Sequence, residues 1–181
     1  MRTRIALFGL AASVVGLAGT AAPASAALPV QASGSTTTVD VPVSCTFGPD
    51  TPTFTSTAHV SVTAPNVVLP ALPFNASFRV VIDGIVASFP VESFAMSSSY
   101  RVAGPATPHA VSFTDSPQAL ASGQTPTPQT HTRSFAAGLP GTIDYRFTGV
   151  SYDFKYAATT TIHASCTLLN GPVSVRQTTV L

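Results

Sequence analysis

The chain has 181 residues, of which 45% are apolar and only 8% are charged, with 16 prolines, 12 glycines and no tryptophan. Its positive mean hydropathy and low charge argue against an intrinsically disordered chain. A chain of this length forms one domain that buries roughly two thirds of its unfolded surface. The low charge leaves few groups for acid–base catalysis.

The first 26 residues have the three parts of a secretory signal peptide. Arg2 and Arg4 form a basic start, and an apolar stretch follows them. Ala24 and Ala26 then occupy the −3 and −1 positions of an A-x-A cleavage site. The apolar stretch of about 15 residues is shorter than the ~20 that a membrane-spanning helix needs. We therefore predict cleavage after Ala26 and a secreted mature domain over residues 27–181, without a transmembrane helix.

The charges of the mature chain are sparse and scattered. Without Arg2 and Arg4, six basic and seven acidic residues remain, a net charge of −1. The six cations are spread along the chain at Arg79, Arg101, Arg133, Arg146, Lys155 and Arg176. Nucleic acids and anionic membranes bind clustered basic faces. We therefore predict neither of these partners.

Strict alternation of apolar and polar residues predicts half-buried β-strands. It runs from Asp40 to Phe47, from Thr53 to Thr63 and from Tyr156 to Leu168. Further strands are predicted at Val91 to Val102, Ala110 to Thr114, Arg133 to Ala136 and Pro172 to Thr179. Many short strands between Gly- and Pro-rich segments predict an all-β fold. We expect an antiparallel β-sandwich, with a barrel as the alternative.

Cys45 and Cys166 are the only cysteines, and both fall on the apolar faces of predicted strands. In an exported chain an even pair predicts a disulfide, here a buried one across the core, as suits a sandwich. Its Cα atoms are expected about 4.4 to 6.8 Å apart. Two reduced cysteines or a thiol nucleophile are the alternative.

Two hairpins are predicted. The first joins Phe78 to Ile82 with Ile85 to Phe89 through Asp83-Gly84, a dipeptide favoured in type I′ turns. The second joins Thr142 to Phe147 with Tyr152 to Tyr156. Its chosen register has a Gly149-Val150 loop and sets opposite charges across from each other: Arg146 with Asp153, and Asp144 with Lys155. The same register stacks Phe147 on Tyr152, Tyr145 on Phe154 and Ile143 on Tyr156.

No catalytic, cofactor-binding or metal-binding residue is predicted. The G-x-S-x-G motif of serine hydrolases is absent, and no two histidines have zinc-ligand spacing. His59 and His163 are expected on outer sheet faces, exposed or hydrogen-bonded, and His109 and His131 in the Pro/Thr-rich segment. Turns, loops and exposed strand faces account for most carboxylates: Asp50, Asp83, Asp115, Asp144 and Asp153. Glu92 and Asp40 stay unassigned.

Several features resemble those of uncharacterised exported two-cysteine β-sandwich proteins of actinomycetes. They are the Ala/Val/Thr-rich composition with a single Lys, the Ala-Ser-Ala signal end, and two cysteine motifs. The motifs are Val41-Pro-Val-Ser-Cys-Thr-Phe47 and His163-Ala-Ser-Cys-Thr-Leu168. The resemblance implies an exported β-sandwich and carries no activity or functional residue with it.

Three classes of function follow, in order of preference. The first is a non-enzymatic exported protein whose Ser/Thr-rich surface associates with the cell envelope or extracellular matrix, on a cell-wall, polysaccharide or protein surface. The second is a carrier of an apolar ligand or an oligomer that inserts in a membrane. The third is an enzyme. A closed cavity above ~300 Å³ would favour the carrier, and a solid core with an exposed apolar edge would favour association.

Overall fold

The computed structural model describes residues 34–48, 53–157 and 160–181, which belong to one compact unit. The predicted signal peptide and its cleavage site lie outside these residues. The described strands are β1 (Ser35–Thr46), β2 (Phe54–Ala64), β3 (Val67–Val68), β4 (Pro73–Ile82), β5 (Val91–Ala103), β6 (Ala106–Thr107), β7 (Ala110–Thr114), β8 (Gln118–Leu120), β9 (Thr130–Ala137), β10 (Gly141–Ala157), β11 (Thr160–Leu168) and β12 (Val173–Val180). The protein is all-β, with no helix among the described residues.

The alternating segments form strands with the predicted faces. Val41 and Val43 of β1 and Val60 and Val62 of β2 are fully buried, whereas the residues between them are partly exposed. This pattern arises because successive side chains of a strand point to opposite faces of its sheet. The strand predictions are therefore confirmed for Asp40 to Phe47 and Thr53 to Thr63. The predicted strand from Tyr156 to Leu168 is wrong in its first part, because Tyr156 belongs to β10 and β11 begins at Thr160.

The strands form one open, mixed sheet. Its order is β3-β12-β10-β11-β1-β2-β4-β9-β6, and β5 lies along the other edge of β10, where it also pairs with β7 and β8. All pairs are antiparallel except β12 with β3. The sheet is not closed, so the choice between a sandwich and a barrel stays a prediction.

Side chains bridge β7 and β9, which are not backbone-paired neighbours. The ring of Phe113 in β7 stacks on the ring of His131 in β9, with centroids 5.1 Å apart. Asp115, directly after β7, bonds to His131 as well. We call this junction the seam. It is held by side-chain contacts and not by a backbone ladder.

The predicted disulfide is confirmed, and both cysteines are buried. Cys45 and Cys166 are directly opposed in register on β1 and β11, with Cα atoms 4.0 Å apart. This distance is slightly below the expected range because the two residues face each other across neighbouring strands. The bridge therefore lies within the sheet, and the expectation that it would cross the core is wrong.

The second predicted hairpin is wrong because β10 is a single strand of 17 residues. Its pairing with β5 shifts register between Phe147 and Gly149. This bulge moves the buried apolar residues from odd positions before Gly149 to even positions after it. The predicted pairing of Arg146 with Asp153 therefore does not form, and neither do the other cross-strand pairs of that hairpin.

The first predicted hairpin is also wrong, although a turn forms at its position. The turn at Asp83-Gly84 is not of the predicted type I′, because Gly84 has a positive φ of 74° but Asp83 does not. Residues 85–89 form no strand against β4, which pairs with β2 on one edge and, over Pro73 to Arg79, with β9 on the other. Ala87 instead donates a backbone hydrogen bond to Gln124 and accepts one from Gly123.

Aromatic side chains fill the core between strands that are not paired neighbours. Phe78 of β4 contacts Tyr100 of β5 and Tyr145 of β10, with centroids 4.7 and 6.0 Å apart. Tyr100, Tyr145 and Tyr152 are all fully buried. These contacts pack β4 against β5 and β10.

Candidate functional site

His59 lies on the outer face of β2 between two carboxylates. Its Nδ1 is 2.6 Å from Asp40 Oδ1, and its Nε2 is 3.0 Å from Asp83 Oδ2. The hydrogen bond to Asp40 chiefly, and then that to Asp83, raises the pKa of His59 above its usual 6.5. The expectation of a hydrogen-bonded His59 is confirmed. Asp40, unassigned from the sequence, pairs with His59, and the turn residue Asp83 does so too.

The remaining sequence candidates are dispersed. His163 bonds to Asp153 at 2.8 Å on an exposed face, as expected for both. His109 and Glu92 are exposed, and Asp50 lies outside the described residues. In the described part of the chain, no group of three or more His, Cys, Asp or Glu side chains is placed to hold a metal ion.

Asp144 departs from its expected exposed position. It is buried and accepts hydrogen bonds from Arg146 Nε, at 2.6 Å, and from the Ser174 hydroxyl. The side chain of Arg146 is itself half-exposed, so the pair reaches from beneath the surface to solvent. Alternation missed this burial because one of the two partners, Ser174, comes from the neighbouring strand β12.

The outward hydroxyls of β1 and β2 bond to each other across the strands. Thr36 pairs with Thr63 at 2.7 Å, and Thr38 pairs with Ser61 at 2.8 Å. We call these four residues the hydroxyl ladder. Hydroxyl pairs of this kind stabilise a sheet, so the threonine-rich face already has a structural role. It also presents an uncharged, hydroxyl-lined strip to solvent.

Asp115 is the second carboxylate whose position differs from expectation. It lies in the loop after β7, as predicted, but only 3% of its surface is exposed. Its Oδ1 is 2.7 Å from His131 Nε2, and its backbone N–H donates to the carbonyl of Met96. A buried carboxylate requires such partners, because desolvating an unpaired charge is costly.

Beside the seam is a cavity of about 390 Å³, which we call the seam cavity. Its walls combine apolar side chains with the Asp115 carboxylate. Its rim includes the Thr-Pro-Thr-Pro segment of residues 125–128 and one end of β4. Phe94, Met96 and Tyr152 also line it, as do the charged residues Arg79 and Asp83.

A second cleft, which we call the aromatic cleft, has a volume of about 380 Å³. It lies between the 85–91 segment and the ends of several strands. Five aromatic rings line it: Phe47, Phe54, Phe89, Phe154 and Tyr156. Phe47 stacks on Phe54 with centroids 5.2 Å apart, and Phe89 contacts Tyr156 at 4.4 Å.

The rim of the aromatic cleft is unusually exposed for apolar side chains. Half of the Phe89 surface is accessible to solvent, and Val86 is exposed to the same degree. Adjacent apolar groups left in water mark a contact surface more often than isolated ones do. Alternation could not reveal this cleft, because its residues come from five separate segments.

Comparisons with protein-family models, curated proteins and solved structures found no match for this chain. The resemblance to exported actinomycete proteins therefore stays a prediction. Within the described residues there is no helix of the length and apolar character needed to cross a membrane. The disulfide fits an oxidising, extracellular environment.

Proposed function

We propose that this is an exported, non-enzymatic binding protein that holds an apolar group of its ligand in the aromatic cleft. The single observation that carries this proposal is the convergence of five aromatic rings on an open cleft of about 380 Å³, with Phe89 half-exposed at its rim. Ligand sites are typically concave, largely apolar and about 300–1,000 Å³ in volume. The cleft is open at the surface, which favours partial enclosure of a ring or chain over complete burial.

The histidine contacts support a non-enzymatic role. Both ring nitrogens of His59 face carboxylates, and His131 is bonded to Asp115 and stacked on Phe113. These contacts give His59 and His131 a structural role in joining strands or turns. A general base, by contrast, has a ring nitrogen directed at the group that it deprotonates.

Export supports binding outside the cell. The proposal takes the signal peptide to be cleaved after Ala26, as its A-x-A site predicts. The mature protein is then secreted into an oxidising environment, in which its disulfide is stable.

The test uses N-phenyl-1-naphthylamine, an uncharged probe that fluoresces in apolar sites. We expect the full chain to bind the probe saturably. Phe89→Ser should weaken binding about fivefold, because the lost aromatic contact contributes about 1 kcal/mol of binding free energy. Leu139→Ser is the matched control, since Leu139 is 79% exposed and does not line the cleft. Equal weakening by both variants, or no saturable binding, would contradict the proposal.

A second candidate function is association with a neutral polysaccharide or another envelope surface through the hydroxyl ladder. It is favoured by the uncharged strip of paired hydroxyls on β1 and β2. The test is co-sedimentation of the chain with cell-wall, polysaccharide and lipid fractions. Thr38→Val should reduce retention if this face binds, whereas Phe89→Ser should not. Retention on none of the fractions rules out this candidate.

A further inference from the structure

The five rings of the aromatic cleft form a row. Each ring contacts the next, with centroids between 4.4 and 6.2 Å apart, in the order Phe54, Phe47, Phe154, Tyr156 and Phe89. No contact joins two of these five rings that are not consecutive in the row. A ligand that touches every ring must therefore be elongated.

Ring surfaces are accessible at both ends of the row. Phe47, Phe54 and Tyr156 are partly exposed, and half of the Phe89 surface is exposed. Of the five rings, only that of Phe154, in the middle of the row, belongs to a buried residue. A chain lying in the cleft can therefore contact rings from one end of the row to the other.

The two ends of the row differ in polarity. Among the described residues that line the cleft, only Ser88 and Tyr156 have polar side-chain groups, and none is charged. Both hydroxyls belong to the Phe89 end, whereas the Phe54 end has apolar side chains. Burying an unpaired charge is costly, so the cleft favours an uncharged ligand with its polar group at one end.

Hydrogen bonds fix the rim of the cleft. Ala87 donates a backbone hydrogen bond to the Gln124 carbonyl and accepts one from the Gly123 N–H. The Ser122 hydroxyl donates to the Ser88 carbonyl. The rim therefore presents its apolar side chains before a ligand arrives, and a preformed site avoids part of the entropy cost of binding.

We propose that the aromatic cleft binds one linear alkyl or acyl chain with an uncharged, hydroxyl-bearing end, such as a fatty alcohol or a monoacylglycerol. The tail lies along the row toward Phe54, and the hydroxyl group bonds at the end formed by Ser88 and Tyr156. A hydroxyl group suits this end because it can both donate and accept a hydrogen bond. This inference rests on the proposed function and names the ligand class of the same cleft.

The test is isothermal titration calorimetry of the full chain with 1-alkanols from pentanol to decanol. Affinity should rise about two- to fourfold with each added methylene, because each one buries more apolar surface against the row. 5-Decanol is the matched control ligand, since it has the same atoms as 1-decanol but carries its hydroxyl near the middle of the chain. We expect it to bind at least about fivefold more weakly, because its hydroxyl cannot reach the polar end while its whole chain lies along the row.

Two variants test the direction in which the chain lies. Tyr156→Phe should weaken all the alkanols about threefold, because it deletes a hydrogen-bonding group at the polar end. Phe54→Ser should leave 1-pentanol nearly unchanged and weaken 1-decanol at least about fivefold, because only the longer chain extends toward the far end of the row. Leu139→Ser, which lies outside the cleft, is the control and should change neither affinity.

Three outcomes would overturn this inference. They are an affinity that does not rise with chain length, equal affinities for the two decanol isomers, and an equal effect of Phe54→Ser on short and long alkanols. The comparison of the isomers uses the unchanged chain, so it does not depend on the folding of a variant. If N-phenyl-1-naphthylamine still binds saturably, each of these outcomes contradicts the linear ligand alone, whereas no saturable binding of that probe contradicts the proposed function itself.

Discussion

His131 Nε2 lies 2.7 Å from Asp115 Oδ1, and this hydrogen bond joins β9 to the end of β7 across the seam. The two strands are not backbone-paired neighbours in the sheet. The stacked rings of Phe113 and His131 lie at the same place. At the seam, a few side-chain contacts join two strands that no backbone hydrogen bonds connect. The stability of the seam should therefore be sensitive to single substitutions.

Removing the buried carboxylate should weaken the seam. We expect Asp115→Ala to lower the free energy of unfolding by about 1 to 3 kcal/mol, because His131 loses its partner in a poorly solvated site. Urea denaturation measures the change. Asp153→Ala is the control: it breaks an exposed pair with His163 and should cost no more than about 0.5 kcal/mol. Equal losses in the two variants would contradict this account of the seam.

The pKa of His59 should be above 6.5 in the folded protein, chiefly because of Asp40 and then Asp83. A raised pKa means that protonated His59 stabilises the fold below about pH 6.5, and that this stabilisation is lost as the pH rises through the folded-state pKa. Asp40→Asn should therefore destabilise the protein more near pH 5.5 than near pH 8.5, by at most about 1 kcal/mol at this exposed site.

The measurement for His59 is an NMR titration of its ring protons, combined with urea denaturation at the two pH values. Asp153→Asn is the control, since Asp153 contacts His163 and not His59. A His59 titration that does not respond to Asp40→Asn would show that the hydrogen bond to Asp40 is not the main cause.

Loss of the disulfide should strongly destabilise the domain. Cys45 and Cys166 are 121 residues apart, and closing a loop of that size stabilises by about 4 to 5 kcal/mol in the chain-entropy model. We expect the Cys45→Ala/Cys166→Ala double variant to unfold at a much lower urea concentration. A loss below about 1 kcal/mol would mean that the unfolded chain is already compact without the bridge.

Gly104 should tolerate no side chain. Its φ is +96°, and a Cβ there would overlap the carbonyl oxygen of Thr142. Gly123 also has a positive φ, of +82°, but nothing lies within 4 Å of its Cβ position. Gly104→Ala should therefore cost at least about 2 kcal/mol more than Gly123→Ala, because steric overlap adds to the backbone strain that both share. Thermal unfolding of the two variants provides the comparison.

The tyrosines should make the fold sensitive to alkali. Burial raises the pKa of Tyr145 to about 12 and raises the pKa values of Tyr100 and Tyr152 further above the usual 10. Because the unfolded chain releases these protons first, stability should fall steeply from about pH 10 upward. Absorbance at about 295 nm should show tyrosine ionisation and unfolding together. Ionisation of these three tyrosines near pH 10 in the folded protein would contradict their burial.

The sequence by itself determined which apolar residues of the alternating strands face inward. Val41, Val43 and Cys45 are buried as their alternation predicts, and so is Cys166 on β11. The side-chain period of two is a local property of extended backbone, so it can be read without knowledge of any partner strand. The all-β class followed from the same pattern, and the disulfide from the single pair of cysteines in a chain predicted to be exported.

Only the tertiary structure decided which strands are neighbours. The change of phase near Gly149 fits both a hairpin turn and a bulge, and the structure has the bulge because β12, β11 and β5 all pair with the long β10. Likewise, a turn forms at Asp83-Gly84 without the predicted hairpin, and Ala87 bonds instead to Gly123 and Gln124. Strand pairing depends on residues that are far apart in the chain. The seam cavity, the aromatic cleft and the burial of Asp115 all depend on that pairing.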